Sequence, residues 1–161
     1  MTPVTTQATT PHPHAAEMEA ARAGWYALTF RIRQVDPEDR LTPGYYTAPD
    51  WNLGDLVAHI GTWLAEAQAQ FERMIGGTYT GHDDVGIDVL NARLLKAIAD
   101  QPWDVVWSQA HAARSMLLNA WYELREPTEE AAWWIRKAAA DHYAQHLPRL
   151  EEWVRELAAR R

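Results

Sequence analysis

Apolar residues recur at three- and four-residue steps along most of this chain, the spacing that lines one face of an α-helix. Met18, Ala21, Arg22, Trp25, Leu28 and Ile32 follow one another at these steps and predict an amphipathic helix over 15–34. Pro37, Pro43, Gly44 and Pro49 then crowd into a short window, so 35–51 reads as a structured linker. Asn52 is a predicted N-cap, with Asp55 closing a capping box and Trp51 and Leu56 in the positions of a hydrophobic staple. The helix that starts there runs from Leu53 to about Ile75, with Leu56, Ile60, Trp63, Leu64, Ala67 and Phe71 on its apolar face, and ends at Gly76, Gly77 and Gly81.

A further helical segment covers 86–99, carrying Val89, Leu90, Leu94, Leu95 and Ile98. Pro102 interrupts it, and helix resumes from Trp103 to about Leu124. Thr128 is a predicted N-cap ahead of Glu129 and Glu130, opening a last helix over 129–158 with a kink expected between Ala144 and Pro148. No strand and no internal repeat is expected. Four long helices in one chain predict an all-α four-helix bundle over 15–161, behind a disordered N-terminal tail, 1–14.

Composition narrows the chemistry. The 161 residues suit one domain and include no Cys, which removes thiol nucleophiles, CxxC redox chemistry and Cys-ligated metals. A formal charge of −7, from 22 acidic and 15 basic side chains, argues against a general nucleic-acid binder, which needs a basic face for phosphates. No apolar run has the length of a membrane span, and the first residues lack the basic and apolar regions of a signal peptide. A cytoplasmic protein is the expectation. His12 and His14 in the tail have no rigid scaffold and are not read as a site.

His142 and His146, in DHYAQH, lie one helical turn apart on the stripe that also carries Ile135, Ala138, Ala139, Leu150 and Trp153. A pair facing the core must be satisfied by hydrogen bonds or by a metal. His59, beside Leu56, Ile60 and Trp63, sits at the buried face of another long helix. Three imidazoles converging from two helices would hold a divalent ion with positions left open for water or substrate, the layout of a catalytic site. Thr62 and Glu66 follow His59 along its helix as candidates to orient a ligand or water, with Glu66 a candidate general base. Asn91, a polar residue in an apolar segment, is a candidate cavity-lining and cofactor-binding residue.

Other constellations are missing: no ExxH of a di-iron bundle, and no GxGxxG, Walker loop, GxSxG or HExxH. His82 and His111 are expected at the surface. Trp25, Trp63 and Trp153 are expected in the core, and Trp133 or Trp134 at a pocket wall or dimer face, because adjacent helical residues cannot both point inward.

The segment PDWNLGDLVAHIGTW resembles the second-helix signature of the DinB/YfiT-like superfamily, in which Trp, Asp and His recur ahead of an apolar helix. DHYAQHLPRLEEW is similar to the last-helix HxxxH of that superfamily, particularly its ClbS/DfsB-like branch, and DVLNARLLKAIADQPWDVVWSQAHAARSMLLNAW is similar to its middle helices. The likeness spans 15–158. It implies a four-helix bundle, a zinc- or nickel-like ion on His59, His142 and His146, and a homodimer. Related branches include bacillithiol and mycothiol S-transferases, mycothiol-dependent maleylpyruvate isomerases and hydrolases of reactive genotoxins. The isomerase branch has Glu-x-x-x-His on its last helix and a further C-terminal domain. Here His142 takes the first place and the chain stops at Arg161, so S-transfer or hydrolysis of a small-molecule substrate is the expectation. With no Cys, any thiol, such as mycothiol, must come as a cosubstrate. A non-catalytic bundle that sequesters a hydrophobic small molecule is the alternative.

Overall fold

The capping box at Asn52 forms as the sequence predicts. The Asn52 amide donates to Asp55 Oδ2 at 2.8 Å, and the Asp55 amide returns a bond to Asn52 Oδ1 at 3.0 Å. From this cap runs α2, Leu53–Ile75, the central helix of the computed structural model, which describes residues 12–48, 50–84 and 86–161. The other helices are α1 (Ala15–Arg33), α3 (Ile87–Ile98), α4 (Trp103–Glu123), α5 (Glu129–Ile135) and α6 (Asp141–Ala159). A π-helical turn, Arg136–Ala140, joins α5 to α6 without a break, so the last column is one rod.

Four long columns result, α1, α2, α4 and the α5–α6 rod, with the short α3 lying on α2. α2 packs chiefly on α4, α1 on α6, and the π turn touches both α1 and α2. The bundle is mostly α, as expected. Its core includes Trp121, Trp134 and Trp153, all fully buried, and Trp25 and Trp63, both nearly so. Large aromatic side chains of this kind dominate the burial that stabilises a domain. Gly61 lets α2 approach α4 closely, since a Cβ there would lie 3.1 Å from Ala110 Cα. No helix among the described residues is long and apolar enough to cross a membrane.

Four expectations need correction. A strand pair does exist: Tyr46–Thr47 (β1) pairs antiparallel with Asp50–Trp51 (β2), two residues each, with Tyr46 opposite Trp51. Strands this short carry no readable alternation of apolar and polar residues, which is why the pattern missed them. Next, the rod, expected as one helix over 129–158, changes its winding at 136–140, while α6 continues without a break through Pro148, as expected. The missing N–H of a proline costs one bond, which a rod packed along its length tolerates. The disordered tail is the third. Residues 1–11 lie outside the described residues, but His12 and His14 pack on Trp121 with ring centroids 6.1 and 6.4 Å away. Finally, Val89 is exposed on α3, where Leu90 alone is buried among the residues described there.

The linker is held by Arg149 of α6. Its guanidinium donates to the carbonyls of Tyr45 at 2.8 Å and Gly44 at 3.2 Å while pairing with Glu156. Gly44 has φ +110°, a left-handed region that favours glycine, and Trp153 fills the space a side chain would take. The linker therefore enters the fold at a defined height and carries Tyr46 and Trp51 onto the inner faces of α2 and α6.

Candidate metal centre

His59 of α2 and His142 and His146 of α6 meet on one side of the bundle. His142 Nε2 stands 2.9 Å from His59 Nε2, and one ring nitrogen from each of the three lies within 4.8 Å of the others. The ring centroids are 4.8 to 5.3 Å apart. His142 and His146 are buried, and His59 is half-buried. Two helical facts produce this meeting. The four-residue spacing of the α6 pair puts both rings on one face, and the capping box fixes where α2 begins and so where His59 stands along it.

All three imidazoles are held neutral. Burial pushes the pKa of His59 down to about 4, helped by the neighbouring His146, and burial does the same to His146, also to about 4. His142 is driven well below the usual histidine range by burial, by His59 and His146, and by the Lys137 ammonium. Neutral imidazole is the form that binds a metal.

The hydrogen bonds around the rings fit the same use. The Ala138 carbonyl can only accept, so its 3.4 Å contact with His142 Nδ1 puts the proton there and leaves Nε2 its lone pair. His59 Nε2 must then donate across the 2.9 Å gap in the metal-free protein, which leaves His59 Nδ1 a buried acceptor with no partner. A cation between the rings would take the place of that bridging proton. His59 could then carry its remaining proton on Nδ1. Two nitrogens on one ion lie about 3.0–3.4 Å apart at bonds of ~2.1 Å. The closest pair is already there, and the widest needs a side-chain rotation of little more than 1 Å. The three histidines could therefore hold a metal ion.

Sequence reasoning did not find Tyr46. Its hydroxyl lies 3.4 Å from His146 Nδ1, and its ring packs on Trp51, which in turn packs on His59 with centroids 5.2 Å apart. The tyrosine pair Tyr45–Tyr46 between two prolines was the available signal, but nothing in the linker pattern tells which aromatic reaches a histidine 100 residues away. Trp51, expected only as a staple, serves the site as well.

The rings open into a cleft of about 350 Å³ walled by Trp63 and Trp133. Asn91 lines this cleft, as expected, and its Oδ1 accepts a 2.8 Å bond from Trp63 Nε1. Arg136, Lys137, Asp141 and Gln145 form the rim, so the cavity is more polar than the apolar, Trp-walled one expected. Thr62 does not enter the cleft. Its hydroxyl donates to the His59 carbonyl at 2.8 Å, and its side chain faces a groove between α2 and α4. A residue three positions on is rotated about 60° around the helix, enough to leave the site. Glu66 is not brought to the cleft either. Seven residues from His59, about 10 Å along the axis, it accepts from Gln70 at 2.7 Å and faces Arg73 at 3.9 Å.

The remaining aromatic and histidine expectations divide. Trp134 is fully buried and Trp133 takes the pocket wall. His82 is not a free surface residue: it stacks on Trp133 with centroids 4.1 Å apart and is gripped by Glu130 at 2.8 Å. The same carboxylate accepts from Tyr79 at 2.5 Å. His111 is half-buried between Trp25 and Trp107, edge-on to Trp25.

No family model matches the chain, and no curated protein matches it. Among solved structures it is similar to that of an uncharacterised protein from Escherichia coli UTI89, with a TM-score of 0.75 at 14% identity over 93% of this chain and 97% of that one. At that identity the likeness establishes the helical fold.

Proposed function

We propose that the protein is a divalent-metal enzyme of the DinB/YfiT-like kind. It acts on a reactive small molecule, by S-transfer from a low-molecular-weight thiol such as mycothiol or by hydrolysis. The convergence of His59, His142 and His146, all neutral, at the base of an open cleft carries this reading. These three residues would hold the ion, zinc or nickel. When bound, such an ion supplies Lewis acidity and lowers the pKa of a water or thiol toward neutrality.

The chain's own groups do the rest. The Ala138 carbonyl holds the proton of His142 on Nδ1, which keeps Nε2 of that ring for the ion, and the Tyr46 hydroxyl, 3.4 Å from Nδ1, orients the His146 ring. Trp51 restricts the rotation of His59 by packing on it. Trp63, fixed by Asn91, and Trp133, fixed by His82, exclude water from two sides of the cleft and leave its mouth to the substrate. With no Cys in the chain, a thiol reaches the site only as a cosubstrate. The homodimer implied by the family resemblance is part of this proposal and is read by sedimentation.

Equilibrium dialysis of untagged protein against zinc and nickel tests the reading. A single ion per chain is expected for the wild type, with affinity lowered about a hundredfold or more in His142→Ala by loss of one of three ligands. Absence of bound metal in both proteins overturns it.

A further inference from the structure

The chain has only two lysines, Lys96 and Lys137, and the second lines the cleft that holds the three histidines. Lys137 Nζ lies 5.6 Å from the centroid of the Trp63 ring, against the cleft wall, and joins none of the ion pairs among the described residues. The neighbouring Arg136 also lines the cleft, but Glu17 pairs with its guanidinium at 3.3 Å. Asp141 stands exposed at the rim and leaves Lys137 unpaired.

The π turn explains how Lys137 comes to be there. In a regular α-helix a residue five positions before His142 points about 140° away from it. Within Arg136–Ala140 the bonding runs from one residue to the fifth, as in the Asp141 amide to the Arg136 carbonyl. That winding brings residues five apart close to the same face. Lys137 and His142 therefore line one cleft.

Apart from Asp141, exposed at the rim, the charged groups at this cleft are positive. Three neutral imidazoles cancel none of the charge of a divalent ion, and Lys137 adds a further positive charge. Asn91 spends its Oδ1 on Trp63, so its NH2 group remains as a donor on the lining. Donors and cations with one free ammonium suit a single negative charge, and the Trp63 and Trp133 walls suit a flat or apolar body. We infer that the substrate of this cleft is an organic carboxylate, its carboxylate held by Lys137 and Asn91 and its apolar body lying against Trp63 and Trp133. This deepens the proposed function and rests on it for the reaction, though not for the binding.

Phenylacetate and phenylacetamide, alike in shape and different in charge, are the probes. Isothermal titration is run on metal-free and on zinc-loaded full-length protein, with Lys137→Met and Lys96→Met variants beside the wild type. Metal-free wild type should bind phenylacetate more tightly than the amide, and Lys137→Met should weaken phenylacetate binding about three- to tenfold without changing zinc uptake. Lys96→Met should behave as wild type. The metal-free arm separates the two readings, because Lys137 acts there without an ion, whereas failure to take up zinc counts against the metal centre alone. Equal affinity for acid and amide, no binding of either, or a preference that survives in Lys137→Met overturns the inference.

Discussion

His59 and His142 approach through their Nε2 atoms to 2.9 Å, although one belongs to the second helix and the other to the last. Two imidazole nitrogens at that distance share one proton or one cation. Each ring is too buried to be charged near neutral pH, so the choice is between a neutral hydrogen-bonded pair and a ligated ion.

Zinc should therefore stabilise the fold. At a free concentration a hundred times the dissociation constant, binding to the native state alone adds about 2.7 kcal/mol. For a domain of this size that corresponds to a rise in Tm of roughly 5–10 °C. Thermal melts with and without zinc should show this shift, and His59→Ala should abolish most of it.

The metal-free protein should lose stability in mild acid. In the unfolded chain the histidines take up protons near pH 6.5, whereas His59 and His146 do so in the fold only near 4. The unfolded state thus binds more protons between these values. Stability is fully present above about 6.5 and falls as pH drops toward 4, by on the order of 3 kcal/mol per histidine at most. Denaturant titrations from pH 7.5 to 4.5 measure this, and replacing His59 and His146 with Gln should flatten the dependence.

Tyr46→Phe should leave the fold intact and weaken the metal site. It removes only the hydroxyl beside His146 Nδ1 and keeps the ring packed on Trp51. Loss of such a supporting contact lowers metal affinity about 10- to 100-fold. Competition against a chromophoric zinc chelator would detect the change. Unchanged affinity would place the contact outside the site's energetics.

Asn91→Leu removes the acceptor for the Trp63 indole, which is nearly fully buried. Leaving that N–H unpaired should cost about 1–3 kcal/mol, read from denaturant unfolding. Near-UV circular dichroism should change as well, because Trp63 loses its fixed orientation in the cleft wall.

Gly61→Val tests the close approach of α2 and α4. A side chain at this position meets the Ala110 backbone, which cannot move aside as a flexible side chain would. Overpacking should cost about 1–3 kcal/mol in unfolding experiments, with zinc affinity per folded molecule little changed.

Much of the site is legible in the sequence. The HxxxH of the last helix defines a face by itself, because a helix has one period, and the cap at Asn52 sets the start of α2 from four adjacent residues. The same locality misled for Thr62 and Glu66. Both follow His59 along its helix, yet a 60° rotation takes one off the cleft, and distance plus Gln70 and Arg73 occupy the other. His82 read as a surface residue because its partners, Glu130 and Trp133, are about 50 residues away.

The sequence alone determined the long helices, the caps at Asn52 and Thr128, most of the stripes that bury those helices and the three histidines worth watching, since each depends on neighbours within a few residues. Only the tertiary structure decided that Tyr46 reaches His146, that Trp133 walls the cleft while Trp134 is buried, and that Lys137, on a π turn, lines the same cleft as the histidines. Those outcomes depend on how distant helices pack and how one rod is wound, and packing is set by the whole core at once.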